Sequence, residues 1–268
     1  MGFALIPAGA FQMGDALDGL ADAPVRTVNI SAFYMGKTEV NKAEWDQVRT
    51  WGLSRGYTDL AVGGGKASNH PVQTVSWWDV IKWCNARSEK DGLEPCYRVG
   101  GNIMRTGTTV PTVRWAAKGY RLPTEAEWEK AARGGSNGKR FPLGDTISHS
   151  QSNYRSNSAF TYDVGLTRGL HPQYAVGGEP YTSPVGSFAA NGYGLHDMDG
   201  NVYEWCWDWY GSSYVGGTDP KGPASGAYRV ARGSSWFNDA SFGRVANRSW
   251  DFPLSWDYDG GFRPVRGL

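Results

Sequence analysis

The sequence predicts an α+β domain, rich in loops, with short strands and about three helices. Three capping signatures point to the helices: Asn41 with Glu44, Ser76 with Asp79, and Thr124 with Glu127 each precede an apolar run of helical period. Short stretches of alternating apolar and polar residues predict the strands. The 268 residues include 37 Gly and 13 Trp, a combination expected of a chain that turns often and is pinned by large rings, and foreign to a helical bundle. The length suits one domain over 1–268, and 40% hydrophobic against 20% charged residues supplies a sizeable core.

In chain order, residues 3–13 (FALIPAGAFQM) read as strand, turn and strand, and residues 26–36 (RTVNISAFYMG) as one further strand. Asn41 caps the first helix, whose apolar face carries Trp45 and Val48. In the Gly-rich loop 54–70, the run GGGK lacks both the G-x-x-x-x-G-K-[ST] spacing and the preceding strand that a phosphate loop needs. Ser76 caps the second helix, in which Trp77, Val80, Ile81 and Cys84 form a packing face. Thr124 caps the third, with Trp128, Ala131 and Ala132 toward the core and Gly134-Gly135 as its stop. Glu125, Glu127 and Glu129 lie where the helix dipole favours negative charge, so they need no catalytic role. Periodicity fades over 136–185, a length of irregular chain that marks function or a bound ion. Residues 202–207 read as a strand again.

A net charge of +1 gives no basic surplus for nucleic acid, and no apolar run reaches the length of a transmembrane segment. Cys84, Cys96 and Cys206 have no C-x-x-C spacing; either a Cys84–Cys96 bridge or buried free thiols would satisfy them. His70, His149, His171 and His196 form no local metal motif. The compartment stays open: cell surface or secreted if a leader has been removed, otherwise cytoplasmic.

Two stretches concentrate chemistry. In 197–204 (DMDGNVYE) oxygen-bearing side chains alternate as a hard cation such as calcium requires, although the spacing is not that of an EF-hand; a polar turn entering a strand would read the same way. Residues 237–260 (FNDASFGRVANRSWDFPLSWDYDG) mix large rings with Asp, Ser and Asn and contain no Lys, Glu, Gln or Met. That composition resembles a binding paratope, where rings give contact area at low entropic cost. Its candidate ligand-binding residues are Phe237, Asn238, Asp239, Ser241, Phe242, Asn247, Ser249, Trp250, Asp251, Phe252, Leu254, Trp256, Asp257, Tyr258 and Asp259. For nucleophilic catalysis there is no G-x-S-x-G elbow and no His after His196.

Seven segments occur in order along the chain: PAGAFQMG, KTEVNKAEW, HPVQTVSWWD, RLPTEAEWEKAARGG, PVGSFAANGYGLHDMDGNVYEWCWDWY, RVARGSSW and GFRPVR. Together they resemble the formylglycine-generating-enzyme, or sulfatase-modifying-factor, superfamily. The resemblance implies a C-type-lectin-like fold and structural calcium, with the side chains of Asp197 and Glu204 and the carbonyls of Gly200 and Val202 as ligands. It implies a second site involving Asn153 and the carbonyl of Tyr154. It does not carry the copper chemistry over: the paired cysteines expected after Arg232-Gly233-Ser234-Ser235 correspond to Asn238 and Gly243, and a neighbouring His to Asp239. No redox metal is therefore expected, and no sugar-type E-P-N or Q-P-D motif is present.

Among branches of the superfamily the segment is most similar in character to variable proteins of diversity-generating retroelements. The frame Arg229-Val230, Arg232-Gly233, Ser235-Trp236, Arg244-Val245-Ala246, Arg248 and Gly261-Phe262-Arg263 encloses residues mostly reachable from an AAC codon by changes at adenines, Trp250 and Trp256 excepted. The implied function is a non-catalytic protein presenting residues within 229–263 to a protein or other macromolecular ligand. The alternative is an oxidative modifying enzyme of the superfamily that does not use the cysteine and copper site.

Overall fold

All three capping boxes form in the computed structural model, which describes residues 2–268. The Asn41 side chain accepts from the Glu44 amide at 2.8 Å, and Ser76 and Thr124 accept from the amides of Asp79 and Glu127, both at 3.2 Å. They open α1 (Lys42–Leu53), α2 (Trp77–Lys90) and α3 (Glu125–Ala132). Gly134 and Gly135 follow α3 with φ of 57° and 87°, the left-handed backbone that glycine tolerates at a helix end.

The strands described are β1 (Phe3–Ile6), β2 (Gly9–Met13), β3 (Arg26–Ile30), β4 (Phe33–Gly36), β5 (Tyr97–Val99), β6 (Asn102–Ile103), β7 (Thr112–Val113), β8 (Tyr120–Arg121), β9 (Tyr203–Trp209), β10 (Gly217–Thr218), β11 (Arg229–Arg232), β12 (Ser249–Asp251), β13 (Gly260–Gly261) and β14 (Val265–Arg266). They form four small sheets ordered β1-β4-β14-β8, β10-β3-β2, β6-β5-β7 and β12-β11-β9-β13. Two expectations change. The strand expected over 26–36 is two, interrupted at Ser31 and Ala32, and its halves join different sheets. The strand expected over 202–207 runs from Tyr203 to Trp209.

Large rings fill one core between α1, α2 and the C-terminal strands. Trp45 and Trp83 stack at 5.9 Å between centroids, and Phe262 meets both edge-on at 6.0 and 5.2 Å. A second core lies between β2, β3, β4 and α3 and includes Trp128, Met198 and Val245. A smaller cluster of Phe141, Ile147, Tyr154 and Ala240 anchors the irregular 136–185 region. All three cysteines are buried free thiols, so no Cys84–Cys96 bridge forms. Burial raises their pKa values, that of Cys96 to about 11.

Every residue of α3 is buried, its glutamates included. Arg121 makes two 2.7 Å hydrogen bonds to Glu127, and Glu125 and Glu129 face arginines from the C-terminal segment. Asp208, which accepts from the Glu125 amide at 2.8 Å, has no such partner; burial and the Glu125 charge push its pKa up to about 8. The folded protein therefore keeps a proton that the unfolded chain releases near pH 4. Stability contributed by this group is full below that value and is lost as pH rises toward 8, by up to about 1.4 kcal/mol per pH unit. Asp208→Asn is expected to raise the melting temperature at pH 8 and to leave it nearly unchanged at pH 4.

Candidate functional site

The C-terminal segment alternates between anchors and display. Arg229, Arg232, Arg248 and Arg263 are all buried. Arg232 reaches Glu125 at 2.7 Å and Glu129 at 2.8 Å, and Arg248 forms a two-pronged pair with Glu125 at 2.7 and 2.9 Å. Arg263 chelates Glu204 with contacts of 2.6 to 2.9 Å. Among the described residues Arg229 has no carboxylate partner. It lies 3.7 and 3.4 Å from the ring centroids of Trp77 and Trp209 and donates to the Trp207 carbonyl. Burial lowers its pKa to about 9, against which the ring faces offer cation–π attraction.

Between these anchors the chain turns its rings outward. Phe237, Phe242, Trp250, Phe252, Leu254, Trp256 and Tyr258 are exposed, Trp256 to 68% and Leu254 to 65%. Of the frame residues only Arg244 is not buried. The exposed rings rest on ordered neighbours: Trp250 lies 4.1 Å from Tyr228 and 5.9 Å from Tyr210, Phe252 lies 4.6 Å from Tyr228, and Tyr258 lies 5.7 Å from buried Trp236.

The candidate residues divide between two cavities. One, of about 260 Å³, takes Ser249, Trp250, Asp251, Asp257 and Asp259 from the predicted set, with Tyr203 and Trp205 of β9. The other, of about 430 Å³, takes Phe237, Asn238, Asp239 and Phe242, and its far wall is Arg155, Ser156 and Arg168. Phe252, Leu254, Trp256 and Tyr258 are exposed and line neither cavity. Ser241 donates to Asp239 at 2.6 Å, and Asn247 donates to Ser249 at 3.5 Å. Asn238 and Asp239, at the positions where the resemblance expects a cysteine and a histidine, line the larger cavity; Gly243 is buried beside Asp199.

Sequence reasoning missed Tyr203, Trp205, Tyr228, Arg155 and Arg168. Tyr203 and Trp205 were detectable, since alternate residues of a strand share a face. Tyr228 directly precedes Arg229 but carries no such signal, and Arg155 and Arg168 come from the irregular 136–185 region.

The 197–204 loop packs against residues 152–153 and 233–236. Gly200 donates to the Gly233 carbonyl at 2.6 Å, and Asn201 donates to the Asn153 carbonyl at 2.8 Å. Gly200 has φ of 75°, and a Cβ there would stand 2.3 Å from Ser152 Oγ and 2.4 Å from the Asn153 carbonyl oxygen, so no larger residue fits.

The acidic groups of this region differ in how they are used. Both Glu204 oxygens accept from Arg263, and one also accepts from Trp128 Nε1 at 2.7 Å. That carboxylate is neutralised and saturated, which removes the reason to assign it as a cation ligand. Asp197 is different. One of its oxygens accepts from the Gly186 amide, while buried Oδ1 has no partner. Glu39, which sequence reasoning missed, matches it: Oε1 accepts from Asn201 Nδ2 at 2.9 Å, and buried Oε2 has no partner. Burial and then the charge of Asp197 drive the Glu39 pKa well above the ordinary range, and burial also raises that of Asp197. These two fit a hard cation. At the second implied site, Asn153 Nδ2 donates to the Tyr181 carbonyl at 2.9 Å, and the Tyr154 carbonyl faces His149 Nε2 at 3.0 Å. Among the described residues no three His, Cys, Asp or Glu side chains converge as a metal site, so a cation at Glu39 and Asp197 would need backbone carbonyls as well.

The family model for a sulfatase-modifying factor enzyme 1-like domain matches residues 2–268. The formylglycine-generating enzyme of Streptomyces coelicolor is 35% identical over 291 residues, covering 96% of this chain and 87% of that one. The chaperone protein LppX of Paenibacillus barcinonensis is 32% identical over 259 residues, covering 91% and 81%. Among solved structures, Treponema denticola variable protein 1 superposes with a TM-score of 0.76 at 33% identity, covering 99% of this chain and 95% of that chain.

Proposed function

Because the chain belongs to the sulfatase-modifying factor enzyme 1-like family over residues 2–268, its role turns on what its C-terminal segment does with that scaffold, and we propose that it is a non-catalytic binding protein displaying residues 237–260 to a macromolecular partner. One observation carries this reading: frame residues are buried, Arg244 excepted, while the exposed large apolar side chains of the segment all lie between them. An anchored frame with a ring-rich rim suits a surface whose contacts can change without loss of fold. The 33% identity to Treponema denticola variable protein 1 supports the same reading and, with it, diversification of the segment. The asparagine and glycine at the expected cysteine positions support binding over thiol chemistry.

Exposed aromatics that rest on an ordered base make strong binding anchors. Trp250, Phe252, Trp256 and Tyr258 replaced together by alanine are expected to weaken binding of a captured partner by at least about 100-fold, since a few such anchors carry most of an interface's energy. The thermal unfolding midpoint should move little, because the four rings are exposed. Titration of the partner against both forms by calorimetry reads the difference; unchanged affinity would refute the binding surface. Diversification is tested at the coding locus, where a near-copy of the 229–263 coding segment should differ only at adenines.

A structural calcium ion held by the Glu39 and Asp197 carboxylates, with backbone carbonyls, belongs to the same proposal. It would balance two buried acids and tie α1's approach to the 197–204 loop.

A further inference from the structure

We propose that the 260 Å³ cavity bounded by Tyr203, Trp205 and Trp250 is a subsite for one cationic side chain, the ammonium of a lysine or the guanidinium of an arginine on the partner. This rests on the binding role above and adds the chemistry of one contact.

The walls are the first reason. Three aromatic residues from β9 and β12, strands of one sheet with β11 between them, border the opening, and ring faces attract a desolvated cation. Their positions are set before any ligand arrives. Trp205 Nε1 donates to the Val75 carbonyl at 3.2 Å, and Trp250 is propped by Tyr228.

The uncompensated charge is the second reason. Asp251, Asp257 and Asp259 share the rim, no Lys or Arg lines it, and none of the three acids is ion-paired among the described residues. Buried acids elsewhere in the chain behave differently: Glu125, Glu127, Glu129 and Glu204 each meet an arginine. The rim acids are nevertheless held in place. Asp251 accepts from the Phe252 amide and from Ser255, each by way of Oδ1, at 2.6 and 2.7 Å, and Asp259 accepts from Ser235 at 2.8 Å. The turn carrying Asp257 and Asp259 is fixed through its carbonyls, which accept from Thr74 at 3.0 Å and Tyr203 at 2.8 Å.

Without a cation, like charge is relieved by a proton. Burial and a hydrogen bond with Asp251 push Asp257 up to about 6, and burial also raises Asp259. Among the described residues the other titratable group on the cavity wall is Tyr203, whose pKa burial raises further from neutrality. A bound ammonium would take over from the shared proton, so its affinity should rise with pH through about 6.

The test uses N-acetyl-lysine methylamide as probe and its norleucine counterpart as the neutral control, read by the indole NMR signal of Trp250, assigned with Trp250→Phe. The lysine probe should shift that signal saturably at pH 7.5. Affinity should fall at least tenfold at pH 5, and at least tenfold at pH 7.5 in Asp251→Asn/Asp257→Asn, a variant checked for an unchanged melting temperature. Equal binding of the norleucine probe, or no saturable shift with the lysine probe, would overturn the subsite. Phe252→Ala/Trp256→Ala, which leaves the cavity lining intact, separates the two readings. Partner binding lost in that variant, with no lysine response in the parent, would retain the surface and remove only the cationic subsite.

Discussion

Replacing Glu129 by alanine is expected to destabilise the fold by about 3–5 kcal/mol, the cost of leaving buried charges without their partner. Its carboxylate accepts from the Gly14 amide at 2.7 Å, Arg133 at 2.7 and 3.0 Å, Arg232 at 2.8 Å and Tyr214 at 3.0 Å. Burial alone would raise the pKa of this group, but Arg133, Arg232 and the Gly14 amide outweigh it and hold the value below the ordinary range. By linkage, stability from Glu129 is present above the unfolded carboxylate value, near pH 4.3, and is lost as pH falls through the lowered folded value. Guanidinium unfolding at pH 7 reads the destabilisation. Glu129→Gln keeps the shape and some of the hydrogen bonds but not the charge, so it should also be strongly destabilising. A loss below about 1 kcal/mol in the alanine variant would mean that the arginines find other partners, as surface ion pairs do.

This network anchors the C-terminal segment without using the side chains that it exposes. Arg232 and Arg248 belong to the C-terminal segment, but the glutamates that receive them belong to α3. The binding energy that seats the segment therefore comes from residues outside the stretch that faces solvent. Substitutions at Phe252, Leu254 or Trp256, all more than half exposed, do not touch it.

Local signals made much of the fold legible. A capping box satisfies orphan amides within four residues, so Asn41, Ser76 and Thr124 could be read without tertiary knowledge. The break in residues 26–36 was hidden, because apolar alternation continues across it while the two halves leave for different sheets. The site was legible where composition marked it: aromatic residues alternating with aspartates over 237–260 became the exposed rim. It was illegible where distant groups meet. Asn201 and Glu39 are hydrogen-bonded across 162 residues, and no spacing announces such a pair. Glu204 shows the converse: it sits inside an oxygen-rich run, yet its charge is spent on Arg263.

Calcium is expected to stabilise the protein through Glu39 and Asp197. Three buried carboxylates, Glu39, Asp197 and Glu204, influence one another around a single buried guanidinium, that of Arg263. Glu204 takes that cation in a two-pronged pair, leaving Glu39 and Asp197 each with an unpartnered buried oxygen. Two uncompensated acids in a dry site must either keep protons or share a cation, and a divalent ion satisfies both without leaving surplus charge. At a free calcium concentration 100 times the dissociation constant, linkage predicts about 2.7 kcal/mol of added stability, which calorimetric unfolding in calcium and in EDTA would read. Glu39→Gln and Asp197→Asn remove the charge at nearly constant shape, so each should abolish most of the calcium increment. In EDTA each should unfold near the parent, because burial disfavours the charged form of both carboxyl groups and the amides are nearly isosteric with them. Glu204→Gln should behave oppositely: it orphans Arg263 and destabilises the protein in calcium and in EDTA alike. An increment that survives in both Glu39→Gln and Asp197→Asn would place the ion elsewhere.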